Sequence, residues 1–198
     1  MRTWLGCGRR IAAMAWWAVA VLGATRAVAA AGELDGVAMP DTLRVDGVAL
    51  RLNGMGVRTY SLFRVHIYVA GLYLPQPSSN AEAILQSDAT KVLTMHFVHD
   101  VSAERARTAW QKGFDANCRA PCHLPQDKVR QFLAAVPDFR VGDESMLVFV
   151  GHAVQFRVNG HVMGTVDDGD FARTVLANFI GRSPANDPLK HGLLGMSD

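Results

Sequence analysis

The sequence predicts an α+β domain, an antiparallel sheet with helices packed on one face, and three observations lead there. Short β-type runs are joined by dipeptides suited to tight antiparallel turns, Asp46-Gly47 and Asn159-Gly160. Helical stripes interrupt these runs without alternating with them one for one, as a parallel fold would require. No linker or internal repeat divides the 198 residues, which are enough to bury a core without staples.

At the start of the chain, residues 1–30 read as a secretory signal peptide: "MRTWLGCGRR" is a cationic lead, "IAAMAWWAVAVLG" is an apolar run too short for an ordinary membrane span, and "ATRAVAAAG" offers small residues for cleavage near Ala30 or Ala31. The short run and the well-formed exit disfavour an uncleaved anchor. Arg9 and Arg10 raise the twin-arginine route with little support from the residues after them, and Cys7 lies too early for a lipoprotein site. Residues 31–198 are then a periplasmic or secreted domain with no stable membrane insertion after cleavage.

Within that domain "GELDGVAMPDT" reads as an exposed lead-in, followed by the hairpin at Asp46-Gly47. The stretch "NGMGVRTYSLFRVHIYVAGLYLP" reads as the next strand. From Phe63 onward Val65, Ile67, Val69 and Tyr73 share one face, which belongs to a core; Arg64, His66, Tyr68 and Leu72 share the other, which is mixed. "SSNAEAILQSDA" is a short helix with a serine or asparagine cap, and "KVLTMHFVHDV" is another strand. Ser102 caps a helix whose stripe is Ala106, Ala109, Trp110 and Phe114, a pattern of core packing rather than a stacking platform. "PQDKVRQFLAAV" is a second helix, starting at a proline and ending before Pro137. Strands return from Ser145 to Thr165, and two helices finish the chain, stopped by Gly181 and Gly195.

Charge and cysteine usage exclude several classes. Four of the 20 basic residues, Arg2, Arg9, Arg10 and Arg26, lie in the leader, so 16 remain against 18 acidic ones. The mature net charge is 2 negative, which removes the compositional support for nucleic-acid binding. Cys118 and Cys122 in "NCRAPCHLP" are placed to close a small disulfide ring at a helix end; the other reading is a metal site with His123, but the spacing is not that of a zinc or redox motif. His96 and His99, three apart on a strand, face opposite sides, and His66 shares a face with Tyr68. These imidazoles fit satisfied or surface positions better than metal ligands. No phosphate-loop pattern follows Gly54 and Gly56, and no G-x-S-x-G is present. No cofactor and no metal is expected.

Three segments, "LNGMGVRTYSLFRVHIYVAGLYLP", "KVLTMHFVHDVSAERARTAWQKGF" and "DFARTVLANFIGRSPANDPLKHGLLG", resemble the chalcone isomerase superfamily, in particular its bacterial chalcone isomerase-like branch. The resemblance implies an open-faced β-sandwich: a large antiparallel sheet under a helical layer, with a ligand cleft between. It also implies that Arg58 faces the ligand. In plant isomerases the matching arginine holds the ketone and the enolate that forms as a phenoxide adds to the conjugated double bond; fatty-acid-binding members turn it on a carboxylate. A planar, permanently charged fork suits both uses, and Gly54 and Gly56 would let the backbone turn sharply beside it.

Other family positions differ. Aligning on Gly71-Leu72-Tyr73-Leu74 places Tyr68 where the enzymes carry a threonine, and "VLANFIG" places Asn178 where they carry a threonine or serine. A tyrosine and an asparagine that the enzymes keep near "VSAERARTAWQKG" have no counterpart. Losing groups that position water and substrate removes most acceleration while leaving a pocket and an anchor. The reading is a non-catalytic protein binding a small amphipathic, fatty-acid-like carboxylate through Arg58, Tyr68 and Asn178. The alternative is an intramolecular lyase of the chalcone isomerase type, acting through Arg58 on a conjugated phenolic ketone.

Overall fold

A computed structural model describes residue 1, residues 30–60 and residues 63–196. The leader expected over residues 1–30 falls almost wholly outside the described residues.

Nine strands and five helices are present among them. β1 (Ala30–Leu34) and β2 (Val37–Pro40) form a separate hairpin. β3 (Thr42–Val45), β4 (Val48–Tyr60), β5 (Val65–Leu74), β6 (Lys91–Phe97), β7 (Glu144–Val150), β8 (Ala153–Val158) and β9 (His161–Asp167) make one antiparallel sheet in sequence order. α1 (Ala81–Gln86) lies between β5 and β6, while α2 (Ala103–Asn117) and α3 (Gln126–Ala135) lie between β6 and β7. α4 (Gly169–Ile180) and α5 (Asp187–Leu193) follow the sheet. The α+β expectation therefore holds.

Turn and cap chemistry set the boundaries. Asp46-Gly47 and Asn159-Gly160 both take positive φ, and that geometry matches the twist of the strands they join. Asn80, Ser102 and Asp168 cap α1, α2 and α4 by accepting from Ala83, Arg105 and Phe171 backbone N–H groups.

The main core lies between sheet and helices. Trp110 and Phe114 of α2, Phe132 of α3, and Phe171 and Phe179 of α4 meet there, with Trp110 5.0 Å edge-on to Phe132 and 5.7 Å from Phe179. Such offset ring pairs add to plain area burial.

The lead-in segment is exposed only in part: Met39 is buried and Gly32, Leu34, Val37 and Pro40 are half-buried, while Glu33, Asp35, Gly36, Ala38, Asp41 and Thr42 are exposed. Asp35-Gly36, at positive φ, folds it into the β1–β2 hairpin, which lies over the sheet's outer face. Met39 is fully buried there beside Thr94, and Gly71 is bare because a Cβ would fall 2.3 Å from the Met39 sulfur. Tyr73 donates to the Pro40 carbonyl at 3.1 Å and joins a second cluster with Val45, Leu50, Val92 and Val148. β5 is consequently buried on both faces from Val69 onward, not mixed on one of them.

The stretch read as a single strand is two. β4 runs through both glycines to Tyr60, and the chain reverses before Val65. Nothing in the local composition announces that turn, because Arg64, not glycine or asparagine, occupies the left-handed position at φ 50°.

Candidate functional site

Arg58 sits on β4, directly opposite Tyr68 of β5, immediately before a register shift in which Ile67 is the extra residue. A bulge re-aims side chains locally. Arg58 Nη1 donates to the carbonyls of Thr59 at 2.8 Å and Ala185 at 2.6 Å, and to Asn186 Oδ1 at 3.4 Å. All three acceptors are neutral. Asn186 also donates to the Val57 carbonyl at 3.2 Å, so Arg58 and Asn186 together fasten the α4–α5 link to β4. Nε and Nη2 of Arg58 make no hydrogen bond with a described residue, and no carboxylate among those residues pairs with this half-buried cation.

Tyr68 is half-buried in the main core, 5.5 Å edge-on to Phe97, which in turn stacks on Phe139 at 4.1 Å. Burial pushes its phenol up to about 12, with the Arg58 charge pulling the other way. The hydroxyl therefore stays a donor across the physiological range and is a poor general base.

Asn178 is 7% exposed on α4 and lies flat over Gly113 of α2, where a Cβ would come within 2.6 Å of its amide. Its Oδ1 accepts from Asn117 at 3.1 Å, while its buried Nδ2 has no hydrogen-bond partner among the described residues. The side chain is not among the partners of Arg58. A backbone link connects them instead, since Ala185 N–H donates to the Asn178 carbonyl at 2.8 Å and the Ala185 carbonyl accepts from Arg58. Arg58 and Tyr68 are thus brought together directly, and Asn178 supports the segment that holds Arg58.

Asn53, Asn117 and Asn186 were not singled out by the sequence. Asn53 is the extra residue of a second β4 bulge; it donates to the carbonyls of Ser78 at 3.0 Å and Leu193 at 2.8 Å. Asn117 bonds the carbonyls of Gly113 at 3.0 Å and Ser183 at 2.9 Å. Their signal was an asparagine at a strand irregularity or helix end, which has meaning only once the partner carbonyl is located.

Gly54 and Gly56 do not make a turn. Neither has positive φ, and both admit α5: a Cβ on Gly54 would meet the Gly192 carbonyl at 2.1 Å, and one on Gly56 the Leu189 carbonyl at 2.5 Å. Gly192 reciprocates, its Cβ position lying 2.1 Å from the Met55 carbonyl.

Cys118 and Cys122 are joined in a disulfide, Cα to Cα 5.2 Å, which leaves no thiolate for a site with His123. Among the described residues no group of three or more His, Cys, Asp and Glu is arranged to hold a metal. His66 lies 2.7 Å from Asp35 and His96 3.8 Å from Glu144, while His99 is exposed beyond the end of β6, not on the strand. A groove of about 580 Å³ lies between the β1–β2 hairpin and residues 51–55, and a small hollow of about 20 Å³ lies around Lys91, His152 and Gly169. Neither is lined by Arg58, Tyr68 or Asn178. Among the described residues no helix is long and apolar enough to cross a membrane.

No curated protein sequence matches significantly. A crystal structure of a fatty-acid binding protein from Arabidopsis thaliana matches with a TM-score of 0.67 at 16% identity, covering 80% of this chain and 92% of that one. At that identity the likeness speaks for the fold, an open-faced sandwich of antiparallel sheet and helical layer. The family model described as chalcone isomerase-like matches residues 31–195, taking in both strands of the Arg58–Tyr68 pair and the helix seated on the glycines of β4. With the whole sheet and every helix inside that match, the chain belongs to the chalcone isomerase-like family.

Proposed function

We propose that this is an exported protein that binds a small amphipathic carboxylate, fatty-acid-like in chemistry, with Arg58 at the head group and Tyr68 as a neighbouring donor. One observation carries the reading. Arg58 is a half-buried guanidinium without a carboxylate partner among the described residues, and it is held through Nη1 so that Nε and Nη2 are left. Those two N–H groups form the side-on fork that takes a carboxylate in two parallel bonds. The Tyr68 hydroxyl, kept protonated by burial, adds a third donor on the facing strand. An alkyl tail directed into the aromatic core would contribute about 0.8 kcal/mol per buried methylene.

The Arabidopsis protein of the same fold, named for fatty-acid binding, supports the ligand class. The Cys118–Cys122 disulfide supports export, because such bonds persist in oxidising compartments. Tyr68 does not supply a base, so an intramolecular lyase built on this pair would need a substrate that brings its own phenolate.

Denaturing extraction of the purified protein followed by mass spectrometry is expected to release a lipid acid, and Arg58→Ala to release at least about tenfold less, since a charge-assisted fork contributes about 1.5–3 kcal/mol. Repeated preparations with nothing bound would sink the reading. Loss of chalcone absorbance above the spontaneous rate, abolished by the same substitution, would replace it with the lyase.

A further inference from the structure

We infer that Asn117, at the end of α2, is a positioning residue that aims Arg58 at a carboxylate. The inference rests on the head-group reading of Arg58 and adds what holds that guanidinium at its angle. Asn117 grips the backbone of Ser183 twice: Nδ2 donates to the Ser183 carbonyl at 2.9 Å, and Oδ1 accepts from the Ser183 N–H at 3.2 Å. The same Nδ2 lies 3.0 Å from the Gly113 carbonyl and 3.1 Å from Asn178 Oδ1. A side-chain amide presents a donor and an acceptor side by side, which is what a backbone residue gripped at both its N–H and its carbonyl demands.

Gly181 makes room for this grip. It ends α4 in an extended conformation open to any residue, yet a Cβ there would fall 2.9 Å from Asn117 Oδ1 and 2.5 Å from the Ala177 carbonyl. The missing side chain therefore serves space and not turning.

From Ser183 the hold reaches Arg58 within two residues. Pro184 fixes a backbone dihedral between them. Ala185 N–H donates to the Asn178 carbonyl at 2.8 Å, and the Ala185 carbonyl accepts from Arg58 Nη1 at 2.6 Å, with Asn186 Oδ1 3.4 Å from the same nitrogen. Nη1 is thus pinned to a segment that Asn117 pins in turn, and this sets the direction of Nε and Nη2. Asn117 is not itself a partner of Arg58, so it acts through the link alone. Two parallel bonds to a carboxylate need the guanidinium plane correctly turned, whereas a lone hydroxyl accepts one bond over a wide range of angles. Loss of Asn117 should therefore weaken binding of an acid and spare binding of the matching alcohol.

Titration calorimetry with decanoate and decan-1-ol at about pH 8, where the acid is ionised, decides it on the parent, Arg58→Ala, Asn117→Ala and the double variant. The parent is expected to prefer the acid at least about tenfold. Asn117→Ala should lose at least about threefold in acid affinity, keep its alcohol affinity, and have no further effect once Arg58 is alanine. Loss of acid and alcohol affinity together, or an equal loss in the Arg58→Ala background, makes Asn117 a structural clasp and overturns the inference. An acid affinity lowered by Arg58→Ala but not by Asn117→Ala overturns it and leaves the head-group reading standing. A parent without acid preference, or one unaffected by Arg58→Ala, removes that reading and this inference with it. Should Asn117→Ala not fold, Asn117→Ser, whose hydroxyl can still bond the carbonyl four residues back, is measured against the same expectations; failure of both to fold assigns Asn117 to the fold and overturns the inference.

Discussion

Asn178 shows how a single polar side chain is accommodated in this core. Its amide lies on the bare Cα of Gly113, accepts from Asn117 and leaves Nδ2 without a partner among the described residues, a cost of about 1–3 kcal/mol for a buried donor. The arrangement depends on the missing methyl. Gly113→Ala would improve helix propensity by roughly 1 kcal/mol, yet its Cβ would fall 2.6 Å from the amide and force α2 away from α4. Because overpacking of this kind costs about 1–3 kcal/mol, Gly113→Ala is expected to lower the urea midpoint, and a stabilised variant would show that the amide moves freely. Arg58 as the telling cation was accessible from the sequence through its family resemblance. That its Nη1 would be occupied by Thr59, Ala185 and Asn186 was not, since those partners come from positions more than 120 residues away as well as next door.

The same contrast holds for elements. Hairpins at Asp46-Gly47 and Asn159-Gly160 and helices capped at Asn80 and Ser102 were legible because the deciding interaction lies within four residues. The role of Gly54 and Gly56 was not, because they make room for a helix more than 130 residues further along the chain. Asp35-Gly36 carries the same Asp-Gly turn signal as Asp46-Gly47 and takes the same positive φ.

One corner between elements depends on acid. Asp100 accepts from Val141 N–H at 2.9 Å and Arg140 at 3.1 Å, and Asp143 accepts from Arg140 N–H at 2.7 Å and Asn159 at 2.9 Å. These backbone bonds first, and the side-chain partners second, hold both carboxyls below their ordinary range. Their contribution is therefore present above the ordinary carboxylate pKa and is lost as pH falls through the lowered values. Hydrogen exchange at the Arg140 and Val141 amides should accelerate, beyond the intrinsic rate, below about pH 4, ahead of the β6 and β7 core. Protection that persists to global unfolding would show that the corner does not depend on these carboxylates.

At the scale of the whole molecule, stability rests on the two hydrophobic layers, with the disulfide as a local pin. The Cys118–Cys122 ring spans four positions, so closing it removes about 2 kcal/mol of unfolded-state entropy at most, against about 3 kcal/mol for a fifteen-residue loop. Cys118→Ser with Cys122→Ser is expected to remain folded with a modestly lower Tm; loss of the folded state would assign the ring a larger role. The antiparallel layout with its helical cover was legible because periodicity and turns report neighbours in sequence, and this sheet joins only such neighbours. The seating of the outer hairpin is not legible locally, because it depends on Met39 finding Gly71 across the sheet.

α5 rests on the glycine strip of β4, where no side chain stands between helix and strand backbone. α5 therefore shields a strand more than 130 residues ahead of it in the chain. Without residues 187–193, β4 would present an uncovered trough of main chain. A copy clipped ahead of that helix is expected to be open to proteases at that seam.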